Sequence, residues 1–339
     1  MPRKVMVGMS GGVDSAVAAM LLNEMGYEVA GATFRMTGSD EDWDGAADAK
    51  SVAEKLGIPH YVFDFRELFA REVKDYFIKE YLRGRTPNPC VECNKTIKFP
   101  AFYERAQELG YDAIATGHYA RTDGVCLYRS LNREKDQSYV LYNLSEQMLG
   151  HVVFPLENRD KVEIRAMAES AGLSVAHKHD SQDICFIPDG DTAAYIDRNV
   201  GDAVPGDFVD EKGRILGRHH GIAHYTIGQH KGLGLSLPEP LYVGEIDADR
   251  NEVLLVHNDE LFTRTLAASE WNWISGEPPR KTEGLSCKIR YAHRPAPCSF
   301  CVQPDGVLIE FEQPQRAVTS GQSAVLYDGD KLLGGGIIK

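Results

Sequence analysis

Three short stretches carry side chains whose types and spacing can do chemistry. The first is Gly8-Met9-Ser10-Gly11-Gly12-Val13-Asp14-Ser15, which follows the apolar run Val5-Met6-Val7 and leads into Ala16-Val17-Ala18-Ala19-Met20-Leu21-Leu22. That pattern predicts a strand, a tight turn and a helix. Such a turn aims several backbone N–H groups and the positive end of a helix dipole at one spot, which favours an anion and above all phosphate. It lacks the Gly-Lys-Ser/Thr ending of a Walker loop, and its adjacent Gly11 and Gly12 do not make a dinucleotide-binding Gly-x-Gly-x-x-Gly turn. The second stretch, Arg85 to Lys98, presents Cys90 and Cys93 behind two prolines that flank Asn88. It is expected to be a stiffened, irregular loop. Two thiols at this spacing can form a local disulfide, bind a metal or serve different steps. The third stretch, Asp180-Ser181-Gln182-Asp183-Ile184-Cys185-Phe186-Ile187, is bracketed by Pro188 and Gly190, so Cys185 falls near a loop.

These groups need a frame, and residues 1–115 predict one. Apolar runs alternate with helical patterns, as in a doubly wound α/β domain with a parallel sheet. A second strand over Glu28–Phe34 empties into an acidic loop, Thr37–Gly45, and a helix over Ala46–Leu56 closes at Gly57 and Pro59. Tyr61-Val62-Phe63 and Tyr111–Ala115 read as further strands, with a long amphipathic helix near Arg66–Leu82 between them. Pro100 is tolerable only in a first helical turn, which predicts a helix beginning near Phe99. Ligands of such sheets bind beyond the carboxyl ends of the strands, which places the first loop, Met36 and Gly117-His118 at one edge. After about residue 200 the texture turns to short β-rich runs separated by Gly, Asp and Pro. The expected division is an α/β catalytic domain over 1–200, a small β domain over 201–272 and a β-barrel-like domain over 273–339.

Composition narrows the classes. With 339 residues, 43% apolar and 26% charged, the chain is that of a soluble globular protein. It shows no apolar run of membrane-spanning length and no signal-peptide pattern, so no membrane partner is expected. Seven scattered cysteines argue for a reducing compartment, here the cytoplasm. The net charge of −13 speaks against nucleic acid, yet residues 271–339 carry 8 basic and 7 acidic side chains and so escape the acidic excess. Lys288, Arg290 and Arg294 cluster there as candidate phosphate contacts. Cys298-x-x-Cys301 looks like half a zinc site, but positions i and i+3 of a strand face opposite sides, which favours a structural role.

Read together, the motifs resemble the bacterial tRNA-specific 2-thiouridylases of the ATP pyrophosphatase (PP-loop, HUP-like) superfamily. The match runs in order through Ser-Gly-Gly-Val-Asp-Ser, Thr-Pro-Asn-Pro-x-x-x-Cys-Asn-Lys, Ala115-Thr-Gly-His-Tyr119, Lys-Asp-Gln-Ser-Tyr and Asp-Ser-x-x-Ile-Cys-Phe-Ile. It continues through Gly217-Arg-His-His-Gly221, Tyr225-Thr-Ile-Gly-Gln-His-Lys-Gly-Leu-Gly234, Ile289-Arg-Tyr291, Ala317-Val-Thr-Ser-Gly-Gln322 and Gly334-Gly-Gly-Ile-Ile338. The resemblance implies that ATP adenylates the C2 oxygen of the wobble uridine in tRNA and that persulfide sulfur then replaces that oxygen. Gly8, Met9, Ser10, Gly11, Gly12, Val13, Asp14, Ser15, Met36 and Gly117 match the ATP contacts, with Asp14 helping to place Mg2+. Cys185 matches the persulfide carrier, and Cys93 the nucleophile able to form a disulfide with it.

Asn88, Pro89 and Cys90 match the segment around the flipped target base, and His118, Lys135, Asp136, Gln137, Arg290, Tyr291 and Gln322 match tRNA contacts. The implied partners are a tRNA with a wobble uridine and a sulfur donor such as a cysteine desulfurase or sulfur-relay protein. Many members carry Asp where this chain has Cys90. Cys90, Cys93 and Cys185 therefore also suggest a 4Fe-4S cluster whose open position delivers sulfide. Competing readings are another AMP-forming PP-loop ligase acting on a small metabolite, and a non-enzymatic iron–sulfur or zinc protein built on the same cysteines.

Overall fold

Val5, Met6 and Val7 are fully buried, as consecutive apolar residues must be in a strand covered on both faces. They belong to β1 (Lys4–Gly8), which with β2 (Glu28–Arg35), β3 (His60–Asp64) and β4 (Ala113–Ala115) makes a parallel sheet. The spatial order is β3-β2-β1-β4, with the short strand Val152–Val153 at the far edge. Winding reverses between β1 and β4, and a sheet built this way leaves a crevice there, outside the strands' carboxyl ends. The computed structural model describes residues 3–38, 44–178, 184–201 and 203–339. Most of the acidic loop expected over Thr37–Gly45, and Asp180–Asp183, lie outside the described residues.

Alternation along β1 sends Val5 and Val7 to one layer and Met6 to the other. On the first face α1 (Val13–Glu24) is buried along Val13 and Ser15–Leu22, because it packs against both the sheet and a second helix, Lys161–Ser170. Ile164 and Ala168 of that second helix share the core with Val17 and Leu21. On the other face lie two long helical runs, over residues 66–82 and 89–108, which contribute Phe69, Phe77, Phe99 and Phe102.

The second run corrects two expectations. The Cys90–Cys93 segment is helical from Pro89, not an irregular loop, because proline fits the first helical position and Asn88 caps it. The Asn88 side chain accepts a hydrogen bond from the Cys90 N–H at 3.1 Å. Pro100 does not start a helix but lies inside one, within the π-helical turns of Asn94–Ala101. Wider i→i+5 turns arrange their bonds around the missing N–H.

Two β units follow. Gly206–Val209, Ile215–His219, Tyr242–Asp247 and Glu252–Val256 form a four-stranded sheet over Phe208, Tyr225, Val243 and Val253. Farther on, Phe262–Trp273 pairs both with Gly306–Arg316 and with Lys331–Ile338, closing six strands into a barrel. A hairpin of the α/β domain, Ala120–Thr122 and Leu127–Arg129, adds to the same sheet through Leu127 opposite Leu332. On the barrel strand Ala296–Gln303, Cys298 is buried and Cys301 exposed, so the pair faces opposite sides. Among the described residues no helix is long and apolar enough to cross a membrane.

Candidate active site

The loop after β1 is shaped for an anion. Gly11 sits at φ +72°, and a side chain there would also press on the Asp48 Cβ at 3.2 Å. Gly12 begins α1 with no side-chain cap, so the leading N–H groups of the helix stay open to a ligand. Ser15 braces the turn: its Oγ accepts from the Ser10 N–H at 3.2 Å and donates to the Gly12 carbonyl at 3.0 Å. Met9 and Val13 anchor the loop in the core, while Gly8 passes close to the Phe34 ring. Met36 follows β2 at the same edge of the sheet and is half-buried against the core. Gly117 follows β4, and a Cβ there would fall 2.9 Å from the Ser15 nitrogen. Residue 117 therefore has to be glycine for its backbone to lie against the start of α1.

Asp14 is held from two directions. Lys161 Nζ stands 2.8 and 2.7 Å from its two carboxylate oxygens, and the Tyr119 hydroxyl donates to Oδ1 at 2.6 Å. A second lysine, Lys178, donates to the Gly11 carbonyl at 3.2 Å and to Asp48 at 2.6 Å. Sequence reasoning missed both lysines. The one local signal was Asp160-x-x-Glu163, a capping box that fixes where the Lys161–Ser170 helix starts.

The thiols occupy the neighbouring region. Cys93 is buried, and burial pushes its pKa up to about 12; Lys98 opposes the shift, while Cys185 and Cys90 add to it. Lys98, five residues on in the same helix, was also missed. Burial pulls its ammonium down, but Cys93, Cys90 and Cys185 together outweigh that and raise it. His118 is driven down to about 3 by burial and then by the charge of Lys98, so the imidazole is neutral. Its Nδ1 lies 2.8 Å from Thr116 Oγ1, and its ring is 5.8 Å from that of Phe99. The dipeptide Gly117-His118 thus touches the phosphate loop with one residue and the Lys98 environment with the next. Cys90 and Cys185 are exposed, and no disulfide joins any of the three cysteines. Among the described residues no group of three or more His, Cys, Asp or Glu side chains is placed to hold a metal ion. As placed, then, Cys90, Cys93 and Cys185 do not form a site for a single metal ion.

The candidate tRNA contacts divide into exposed groups and groups engaged in hydrogen bonds inside the protein. Pro89 is buried at the helix start, and Cys90 beside it faces solvent. Tyr291 is exposed, with its ring 6.2 Å from that of Tyr139. Lys135 is half-buried. Asp136 is buried, accepting from Ser130 and Ser138 and pairing with Arg129 at 3.2 Å. Gln137 exchanges hydrogen bonds with the backbone of Tyr119, giving its own N–H and receiving one on Oε1. Gln322 donates to the Thr86 carbonyl at 2.8 Å, and Arg290 donates to the carbonyls of Arg316 and Ala317. Lys288 is a correction: it is only 7% exposed, lying 5.5 and 5.4 Å from the Tyr139 and Tyr291 rings, and so is no surface phosphate contact.

Three family models cover the chain in succession. A tRNA methyl transferase HUP domain matches residues 3–189, a tRNA methyl transferase PRC-barrel domain 193–257 and an aminomethyltransferase beta-barrel domain 263–338. Among curated proteins, the tRNA-specific 2-thiouridylase MnmA of Acetivibrio thermocellus is 46% identical, over 99% of each chain. That of Clostridioides difficile is 45% identical over 100% of this chain and 99% of its own, and MnmA 1 of Caldanaerobacter subterraneus is 48% identical over 99% and 98%. A solved U34-tRNA thiolase NcsA from Methanococcus maripaludis with its 4Fe-4S cluster aligns at a TM-score of 0.38 and 22% identity, over 58% of this chain and 66% of that one. That likeness is too weak to bear on the site. The full-length relatives decide the matter: this chain belongs to the tRNA-specific 2-thiouridylase family.

Proposed function

We propose that the chain is a tRNA-uridine 2-sulfurtransferase, which adenylates the C2 oxygen of a wobble uridine with ATP and replaces it with sulfur. The observation that carries this reading is the Gly117-His118 junction, which sets an open anion-binding helix end beside a set of three cysteines. An AMP-forming ligase for a small metabolite needs the first feature but has no use for the second. The methyl-transferase wording of the family models and the thiouridylase wording of the relatives name different group transfers, and the pyrophosphate loop with its cysteines favours the second.

In this reading the loop Gly8–Ser15 takes the departing pyrophosphate, and Met36 and Gly117 border the rest of the nucleotide. Asp14 is a hard oxygen donor suited to Mg2+, which neutralises phosphate charge when bound. The uridine O2 attacks the α-phosphorus and pyrophosphate leaves. The terminal sulfur of a Cys185 persulfide then attacks C2, and AMP departs with the former O2. Cys93 thiolate attacks the Cys185 sulfur, so the transferred sulfur stays on C2 as a thiocarbonyl and a Cys93–Cys185 disulfide remains. A thiol reductant closes the cycle, and a cysteine desulfurase or relay protein reloads Cys185. The exposed Cys90 and Tyr291 border the approach of the base, with Asn88, Pro89, His118 and Lys135 lining it. Gln322 ties that approach across the domain seam through Thr86, while Asp136, Gln137 and Arg290 brace it through bonds within their own domains.

The test is mass-spectrometric nucleoside analysis of tRNA incubated with ATP, a persulfide donor and iron-free protein. Appearance of 2-thiouridine is the expected result. Formation only after iron and sulfide are restored would return the cluster route, and no 2-thiouridine under either condition would refute the assignment.

A further inference from the structure

Cys90 is a third thiol beside the two that carry sulfur. It sits on the first turn of the helix Pro89–Cys93, where Pro89 fills the first position and the Asn88 side chain accepts from the Cys90 N–H at 3.1 Å. Cys93 lies three residues on, so both side chains project from one face of that helix. Helical geometry sets their Cα atoms about 5 Å apart, inside the span that a disulfide bridges. Their surroundings differ: Cys93 is 5% exposed, whereas Cys90 faces solvent. Cys185 comes from a separate segment, anchored by Phe186, whose ring lies 5.6 and 5.4 Å from those of Phe69 and Phe77. Phe186 shares a core with Val91 and Cys93, so that segment and the thiol helix are packed together. All three sulfurs are near enough to Lys98 to bear on its charge.

We propose that Cys90 is the resolving thiol of the sulfur cycle, moving the disulfide off Cys185 so that this carrier can be reloaded. The inference rests on the sulfurtransferase reading and adds a step to it. Transfer leaves Cys93 joined to Cys185. The Cys90 thiol gives its proton to solvent and attacks the Cys93 sulfur, the Cys93–Cys185 bond breaks, and Cys185 departs as a thiolate that takes a proton back. A Cys90–Cys93 bond replaces the one lost, with no net oxidation or reduction. The nearby ammonium of Lys98 favours the thiolate on either side of this exchange. An external dithiol then enters at the exposed Cys90 sulfur, releases Cys93 and supplies the two electrons that the cycle consumes. A soluble thiol has no comparable path to the covered Cys93 sulfur, whereas Cys90 stands on the same helical turn at high effective concentration. In the competing account the soluble reductant opens the Cys93–Cys185 bond at the exposed Cys185, and Cys90 takes no part.

The two accounts leave different sulfurs joined after one turnover without reductant. Iron-free full-length protein is loaded on Cys185 with glutathione persulfide, cleared of the donor, and given ATP and tRNA. The reaction is stopped in acid, which halts exchange by protonating the thiolates. Free thiols are then blocked with a maleimide at low pH, and linked peptides are identified by mass spectrometry. For each 2-thiouridine formed, wild type should yield a Cys90–Cys93 disulfide with Cys185 blocked. Cys90→Ser should lose that linkage entirely and yield Cys93–Cys185 in its place. Linkage is counted per 2-thiouridine, so a slower variant does not disturb the comparison, and the wild-type result decides the matter without it. Wild type with Cys93 joined to Cys185 and Cys90 blocked overturns the proposal, as does thiolation that leaves no linkage among the three. Thiolation that appears only once iron and sulfide are restored overturns it too, since the thiols then serve as cluster ligands. No 2-thiouridine under any of these conditions overturns the sulfurtransferase reading itself.

Discussion

The phosphate end and the sulfur end of the site are built differently. At the phosphate end every group is braced: Ser15 ties Ser10 to Gly12, and Asp14 is held by Lys161 and Tyr119 within 2.8 Å. At the sulfur end Cys93 is buried with its pKa raised to about 12, while Cys90 and Cys185 face solvent and no disulfide joins them. A thiol with that pKa is protonated near neutral pH and is a poor nucleophile. On the proposed mechanism adenylation would use a frame already in place, whereas sulfur transfer would need Cys93 uncovered or deprotonated first.

The largest expected effect separates the halves outright. Asp14→Ala should lower tRNA-dependent pyrophosphate release by roughly 100-fold or more, the scale seen when one charge-stabilising group is lost. Cys185→Ser should keep pyrophosphate release near wild type and yield no 2-thiouridine. Measuring both products on both variants tests the division, and a Cys185→Ser chain that thiolates at wild-type rate would abolish it.

A smaller effect is expected from pH. His118 is held down to about 3, against an ordinary value of 6.5, so the unfolded chain binds a proton that the folded chain refuses. The stability tied to this group is fully present above about pH 6.5 and drains away as pH falls toward 3. Urea midpoints of wild type should therefore fall between pH 7 and pH 5 by more than those of His118→Gln. Equal slopes would mean that His118 is solvated in the folded chain rather than buried.

The smallest effect concerns Lys288. Its cation–π contacts are worth about 1 kcal/mol, so Lys288→Met should shift the denaturation midpoint modestly. The salt dependence of tRNA binding should not change, because a buried ammonium releases no phosphate counterion. A flatter slope of log affinity against log salt would put Lys288 back on the RNA surface.

How far the sequence could be read follows the same division. The strand, glycine turn and helix of residues 5–22 are local in sequence, so periodicity and glycine placement were enough to find them. Lys161 stands 147 positions from Asp14 and meets it only because two helices pack, which no local pattern encodes. The Thr-Pro-Asn-Pro segment misled for a different reason. Proline at a helix's first position and proline in a loop look alike until the cap is seen, and here Asn88 supplies the cap. Lys288 misled because clustered charge in a strand says nothing about which face is covered, and Tyr139 covers this one from another domain.

The hairpin shared between domains has a consequence for biosynthesis. Leu127 and Tyr128 find their strand partners, Leu332 and Lys331, about 200 residues later in the chain. While the polypeptide leaves the ribosome, an edge of the α/β domain therefore waits through the synthesis of both β units before it is paired. Unpaired edges in a slowly completed, long-range topology are the usual entry to aggregation. A nascent chain halted before the strand Lys331–Ile338 should accordingly engage chaperones at the 120–129 hairpin and release them once that strand emerges.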